Sequence, residues 1–149
     1  MQQKSILLVE DNPDDAELAS LAFARGGLVN QLVVVGDGVE ALDYLFKPGA
    51  DGRLADLPQI VLLDLKLPRL NGLEVLQRIR SEPRTKRLPV VILTSSGEEE
   101  DLIRGYDLGA NSYVRKPVDF EQFLFAAQQL QLYWLVLNEP PPRDPSCAP

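Results

Sequence analysis

Five short apolar runs, at residues 6–9, 32–35, 60–63, 90–93 and 112–114, alternate along this chain with amphipathic stretches. Runs this short that carry β-branched residues read as strands buried on both faces, and strands that alternate with helices assemble into a parallel sheet with helices on either side. The expected fold is therefore α/β, a doubly wound five-stranded parallel sheet. Helix starts repeat the same period. Asn12 precedes Pro13 at a first helical position, with Asp14 and Asp15 behind it where carboxylates suit the helix dipole. Capping boxes are expected at Asp37 with Glu40, Asn71 with Glu74, Ser96 with Glu99, and Asp119 with Gln122. Apolar residues then recur at helical spacing, as in Leu73, Leu76 and Ile79, or Phe120, Phe123, Leu124, Ala127, Leu130 and Trp134. With 149 residues and 45% hydrophobic composition the chain supports one domain, expected over residues 1–138, with no effector domain. Residues 47–58 read as a long surface loop, and 139–149 as a Pro-rich tail.

What ends each run is chemically informative. Residues 6–9 lead into Glu10 and Asp11, 60–63 into Asp64, 90–93 into Thr94, and 112–114 through Arg115 to Lys116 and Pro117. In a parallel sheet these side chains gather at one edge, where such folds bind ligands. Three carboxylates crowded there repel one another unless a cation compensates them, and Mg²⁺ suits oxygen donors and phosphoryl oxygens. A carboxylate held ionised in this way can attack phosphorus, so Asp64 is the candidate nucleophile of an aspartyl phosphate. Lys116 would neutralise the phosphoryl oxygens and Thr94 would hydrogen-bond one of them. The peptide before Pro117 is a candidate cis bond that would re-aim the strand end.

Composition excludes other chemistry. There is no His, which removes the usual general base and the commonest zinc ligand. A formal charge of -7 argues against a nucleic-acid partner. The apolar run at residues 132–137 is far below the roughly 20 residues of a membrane span. A single Cys147 and a start without an apolar signal segment read as a cytoplasmic chain with no internal disulfide.

Residues 5–135 resemble the response-regulator receiver domains of bacterial two-component signalling, which have a flavodoxin-like fold. The motifs that carry the likeness are Leu8-Val9-Glu10-Asp11-Asn12, then Leu63-Asp64-Leu65-Lys66-Leu67-Pro68 followed by Asn71-Gly72, then Leu93-Thr94-Ser95-Ser96, and Lys116-Pro117. The resemblance implies that Asp64 takes a phosphoryl group from a partner histidine kinase in a phosphorelay. It implies Mg²⁺ held by Asp11, Asp64, the Lys66 backbone carbonyl, and Glu10 through water. Most receivers carry two Asp residues where this chain has Glu10-Asp11. The missing His means that the phosphohistidine must come from another protein. Thr94 and Tyr113 resemble the receiver switch pair, in which the hydroxyl moves to the phosphoryl group and the ring turns inward behind it. Lys66 and Ser96 lie two residues beyond Asp64 and Thr94, where side chains can gate attacking water and so tune phosphoryl lifetime. Val9 to Pro13, the long loop before Pro58, the segment from Tyr106 to Tyr113 and the aromatic end at Tyr133-Trp134-Leu135 resemble a narrower group, stand-alone receivers paired with phytochrome-type kinases.

Taken singly, these features have plainer readings. Thr94 alone is a strand-end hydroxyl and Tyr113 alone is packing; their roles depend on the set. The sequence Gly36-Asp37-Gly38-Val39-Glu40-Ala41 mimics a dinucleotide fingerprint, but it follows the second strand, and an N-cap beside a turn glycine explains Asp37 better. Residues 132–137 have two readings of equal weight, a strongly packed terminal helix or an exposed apolar patch for homodimer formation or kinase docking. Two rival functions remain: a phosphohydrolase with an aspartyl-phosphate intermediate, disfavoured by Lys66 where a second Asp is wanted, and an interaction module that works without phosphorylation.

Overall fold

The computed structural model describes residues 5–27, 31–117 and 119–142. The residues of the tail beyond 142, with Cys147, lie outside them.

Five strands, β1 (Ser5–Val9), β2 (Gln31–Val35), β3 (Ile60–Leu63), β4 (Val90–Thr94) and β5 (Ser112–Arg115), pair in the order β2-β1-β3-β4-β5. All four pairings are parallel. The period of two along each strand sends alternate residues to opposite faces. Leu7, Val9, Val61, Leu63, Val90 and Ile92 pack on one side against α2 (Gly38–Phe46) and α3 (Gly72–Ser81). Ile6, Leu8, Ile60, Leu62, Val91 and Leu93 pack on the other against Ala19, Ala22 and Phe23 of α1 (Pro13–Gly26), and Phe123 and Ala127 of α5 (Phe120–Gln131). The three inner strands are buried throughout, and that is why they read as unbroken apolar runs. The outer strands β2 and β5 are half-exposed. From β1 the chain crosses to β2 on one flank and later returns to β3 on the other, so the crevice opens above the carboxyl ends of β1 and β3.

Most expected helix starts are present. Asn12 accepts the N–H groups of Asp14 and Asp15 at 2.9 and 3.2 Å, with Pro13 at the first position of α1. Asn71 and Glu74 form the full reciprocal box. At α2 the box is half formed: Asp37 accepts from the Glu40 N–H, while the Glu40 carboxylate reaches back to the Gly36 N–H. At α5 Asp119 caps through the Glu121 N–H, with no part for Gln122. The Ser96–Glu99 box does not form. Helix α4 (Glu99–Asp107) starts behind Glu98 without a side-chain cap: the Ser96 hydroxyl donates to Asp101 at 2.7 Å and accepts the Glu98 N–H at 3.4 Å, one residue short of Glu99.

A second correction concerns the Lys116–Pro117 peptide, which is trans: among the described residues no peptide bond is cis. No re-aiming is needed, since the Lys116 N–H extends the ladder to the Thr94 carbonyl at 2.7 Å and the strand itself delivers the side chain.

Residues 47–58 form the expected surface loop, pinned where Arg84 donates to the carbonyls of Leu45 and Ala55. At the other end of the chain, Leu132–Leu137 continues α5 as a π-helical turn. It divides between the two readings offered for it: Trp134 and Leu135 are buried against the α1/α5 side, while Leu132, Tyr133, Val136 and Leu137 are exposed.

Candidate functional site

Backbone pairing places the chemistry. The Glu10 N–H donates to Val35 O at 3.0 Å and the Asp64 N–H to Val9 O at 3.1 Å, so the ladder fixes both residues just beyond their strands. Glu10, Asp64 and Thr94 are buried, whereas Asp11 is exposed at the mouth. One carboxylate oxygen each from Glu10, Asp11 and Asp64 lies within 4.8 Å of the others. The sequence residues expected to form one site are thus brought together.

Each oxygen of Asp64 has a defined neighbour. Oδ2 accepts from Lys116 Nζ at 3.0 Å, and Oδ1 accepts from Thr94 Oγ1 at 2.8 Å and the Lys66 N–H at 3.3 Å. Lys116 Nζ also bonds Glu10 Oε1, and it reaches Asp15 Oδ2 at 3.0 Å. The other Glu10 oxygen accepts from the Asn12 N–H at 3.1 Å. Asp15 is a residue that the sequence reading missed, having assigned it only to the helix dipole. Its place in the first turn of α1, three residues after the Asn12 cap and close behind Glu10 and Asp11, is the signal that could have found it.

These contacts set the charge states. Burial raises the Glu10 carboxyl to about 7, an effect that its bonds to Lys116 and Asn12 only partly offset. Burial also acts to raise Asp64, but the Lys116 charge and the Thr94 hydroxyl outweigh it and hold Asp64 below the usual carboxylate range. Burial alone would lower Lys116, yet its bonds to Glu10, Asp15 and Asp64 reverse this and keep it firmly protonated. Asp64 is therefore the carboxylate held ionised, and Glu10 the one that holds its proton more tightly. Three hard carboxylate donors so close together, without a His or Cys among them, fit a divalent cation that prefers oxygen.

A hydrogen-bonded chain runs from the crevice to the surface. Thr94 Oγ1 donates to Asp64 and accepts the Ser96 N–H at 3.3 Å, and the Ser96 carbonyl accepts from Tyr113 Oη at 3.0 Å. The Tyr113 ring lies over Gly105 of α4, where a Cβ would come within 3.5 Å of the ring and 2.7 Å of Ile92 Cδ1. Thr94 and Tyr113 are thus linked through the Ser96 main chain. Lys66 stands exposed beside Asp64, while the Ser96 hydroxyl is occupied by Asp101.

The loop after Asp64 is braced by features that the sequence did not reveal. A Cβ at Gly72 would lie 2.2 Å from the Asp64 carbonyl oxygen, and one at Gly38 would lie 2.0 Å from that of Leu70. Arg69, at a φ of 64°, donates to both oxygens of Asp37 at 3.0 Å. That clamp ties the loop to the start of α2 and gives Asp37 a structural task, with no nucleotide required.

The response regulator receiver domain family model matches residues 6–128. The probable methanogenesis regulatory protein FilR2 of Methanothrix harundinacea is 43% identical over 136 residues, 91% of this chain and 86% of the relative. The crystal structure of the phosphorylated cyanobacterial phytochrome response regulator RcpA superposes with a TM-score of 0.88 at 38% identity, covering 95% of this chain and all of that one (100%). The bacteriophytochrome response regulator RtBRR gives 0.73 at 52% identity, covering 95% of this chain and 86% of that one. Together, the sheet order, the acidic crevice with its lysine and these matches show that the chain belongs to the response regulator receiver family.

Proposed function

We propose that this protein accepts a phosphoryl group on Asp64 from the phosphohistidine of a separate histidine kinase of phytochrome type, as a stand-alone response regulator. The observation that carries the reading is the geometry at Asp64: a buried, ionised carboxylate with one oxygen on Lys116 and the other on Thr94, beside two further carboxylates. A carboxylate oxygen would attack phosphorus, the phosphorus–nitrogen bond would break, and the donor imidazole would leave with its electron pair. Mg²⁺ held by Glu10, Asp11, Asp64 and the Lys66 carbonyl would neutralise charge on the phosphoryl oxygens. Lys116 would shift from the carboxylates to the new anion, and Thr94 would turn its hydroxyl from Asp64 to a phosphoryl oxygen. That turn would alter what Ser96 offers to Tyr113, which carries the change toward α4 and β5.

The protein would catalyse only its own phosphorylation and dephosphorylation, with Lys66 and Ser96 tuning the second. The phytochrome partner is supported by the likeness to RcpA and RtBRR. The exposed Leu132, Tyr133, Val136 and Leu137 support a homodimer through the C-terminal helix. A cytoplasmic protein without a nucleic-acid partner fits the acidic charge, and among the described residues no helix is long and apolar enough to cross a membrane.

Intact mass after incubation with acetyl phosphate tests the reading, with and without Mg²⁺, for wild type and Asp64→Asn. The expected result is one added phosphoryl group, dependent on Mg²⁺ and absent in the variant. Uptake by Asp64→Asn, or none by wild type, would overturn it.

A further inference from the structure

Two sets of carboxylates overlap in the crevice. Glu10, Asp11 and Asp64 converge as an oxygen trio suited to a cation, and Glu10, Asp15 and Asp64 converge on Lys116 Nζ. Asp15 belongs only to the second. Its pairing distance to the ammonium, 3.0 Å, equals that of Asp64, but its side chain is 36% exposed where those of Lys116, Glu10 and Asp64 are 9%, 3% and 8%. Asp15 therefore sits at the rim and the others at the floor.

From this we infer that Asp15 is a positioning and selectivity residue of the phosphoryl site. It holds the Lys116 ammonium over the crevice and sets how strongly the crevice favours a cation over an anion. The inference rests on the phosphoryl-acceptor reading of Asp64. Any divalent cation that engages Glu10 and Asp64 weakens their hold on Lys116, and Asp15 is then the carboxylate left to orient that ammonium. The Asp15 and Asp64 oxygens each lie 3.0 Å from one nitrogen, so they are no more than twice that distance apart. A phosphoryl group on Asp64 thus arrives beside a second, fixed negative charge. At such separations in a partly solvated site, one unit charge changes a binding constant by roughly three- to tenfold. Asp15 strengthens cation binding by that order and weakens anion binding by the same order, so the phosphorylated state is kept from becoming too stable.

The test uses the full chain as wild type, Asp15→Asn and Asp15→Glu, with calorimetric titration of Mg²⁺ alone and then of beryllofluoride at saturating Mg²⁺. Asn keeps the size and the hydrogen-bond acceptor while removing the charge, and the rim position makes it benign to the fold. The expected result is opposite movement: in Asp15→Asn, Mg²⁺ binds roughly three- to tenfold more weakly and beryllofluoride roughly three- to tenfold more tightly. Both effects should shrink as salt is raised, and Asp15→Glu should restore both. Losses in both affinities together would show a merely structural role and overturn the inference, as would no change in either. A wild type that binds neither probe and takes up no phosphoryl group would overturn the acceptor reading itself, so the two failures are distinguishable.

Discussion

Replacing Lys116 with Met keeps the length and apolar stem of the side chain and removes the charge that Glu10, Asp15 and Asp64 share. The Glu10 and Asp64 side chains are 3% and 8% exposed, so the two carboxylates cannot turn to bulk water when the ammonium is gone. Breaking a buried ionic cluster by removing one partner costs about 3–5 kcal/mol, because the remaining charges stay buried and unpaired. In a domain of this size each kcal/mol lowers Tm by about 2–4 °C, so the metal-free variant should melt about 10 °C below wild type. The deficit should depend on conditions. Glu10 already takes up a proton near pH 7, and below that pH a neutral Glu10 cushions the loss. The gap should therefore be smaller at pH 6 than at pH 8. Mg²⁺ replaces the missing positive charge, so saturating Mg²⁺ should narrow the gap as well. Circular dichroism melts of both proteins at pH 6 and 8, in EDTA and in excess Mg²⁺, give the comparison. A deficit unchanged by both pH and Mg²⁺ would mean that Lys116 stabilises by packing, and the electrostatic argument would fail.

The position of the Glu10 carboxyl near pH 7 makes Mg²⁺ binding expel a proton, so affinity should rise by up to about tenfold per pH unit below 7 and level off above it; calorimetry in buffers of different ionisation heat measures the proton released. In stability the two carboxyls act oppositely. The raised Glu10 contributes below its ordinary 4.5 and loses that contribution as pH climbs through 7, while the lowered Asp64 contributes above its ordinary 3.8 and loses it in acid. Urea midpoints in EDTA should thus peak on the acid side of neutrality, and a steady rise from pH 5 to 8 would contradict the assignment. Thr94→Val keeps the branched shape but breaks the chain to Ser96; it should cost about 1–2 kcal/mol and leave acetyl-phosphate uptake in place. The NMR signals of Tyr113 should then stop responding to beryllofluoride, and an unchanged response would dismiss that chain as the conduit. Arg80→Met removes a guanidinium bonded to the carbonyls of Lys86, Leu88 and Gly109 and to Asn111, and should cost about 2–4 kcal/mol by denaturant midpoint without altering phosphoryl uptake.

The fold was legible because its three inner strands are buried on both faces and leave little room for polar interruption. Glu10, Asp11, Asp64 and Thr94 were legible for the same reason, as the reactive residues that end those runs, and Lys116 through its place just after the edge run of β5. What escaped the sequence depends on pairings far apart in the chain. Asp15 looks like any acid in a first helical turn until Lys116 comes to rest against it. Arg69 and Asp37 are separated by 32 residues, and Arg80 reaches Gly109 across 29. Ser96 shows how local rules lose to tertiary ones: its spacing to Glu99 signals a cap, but its hydroxyl bonds Asp101 while its main chain serves Thr94 and Tyr113. The hydrophobic pattern of residues 132–137 gave no sign of π-helical geometry, which buries Trp134 and Leu135 and turns their neighbours outward.

The sheet edge that carries Lys116 also decides when the crevice becomes competent. Glu10 and Asp64 directly follow strands at the middle of the sheet, but the ammonium that reconciles them arrives 106 residues after Glu10 and 52 after Asp64, behind a strand paired with one neighbour. Contacts this distant close late, because loop entropy must be overcome before they contribute. Detachment of that one peripheral strand would therefore leave Glu10 and Asp64 without the counter-charge they share.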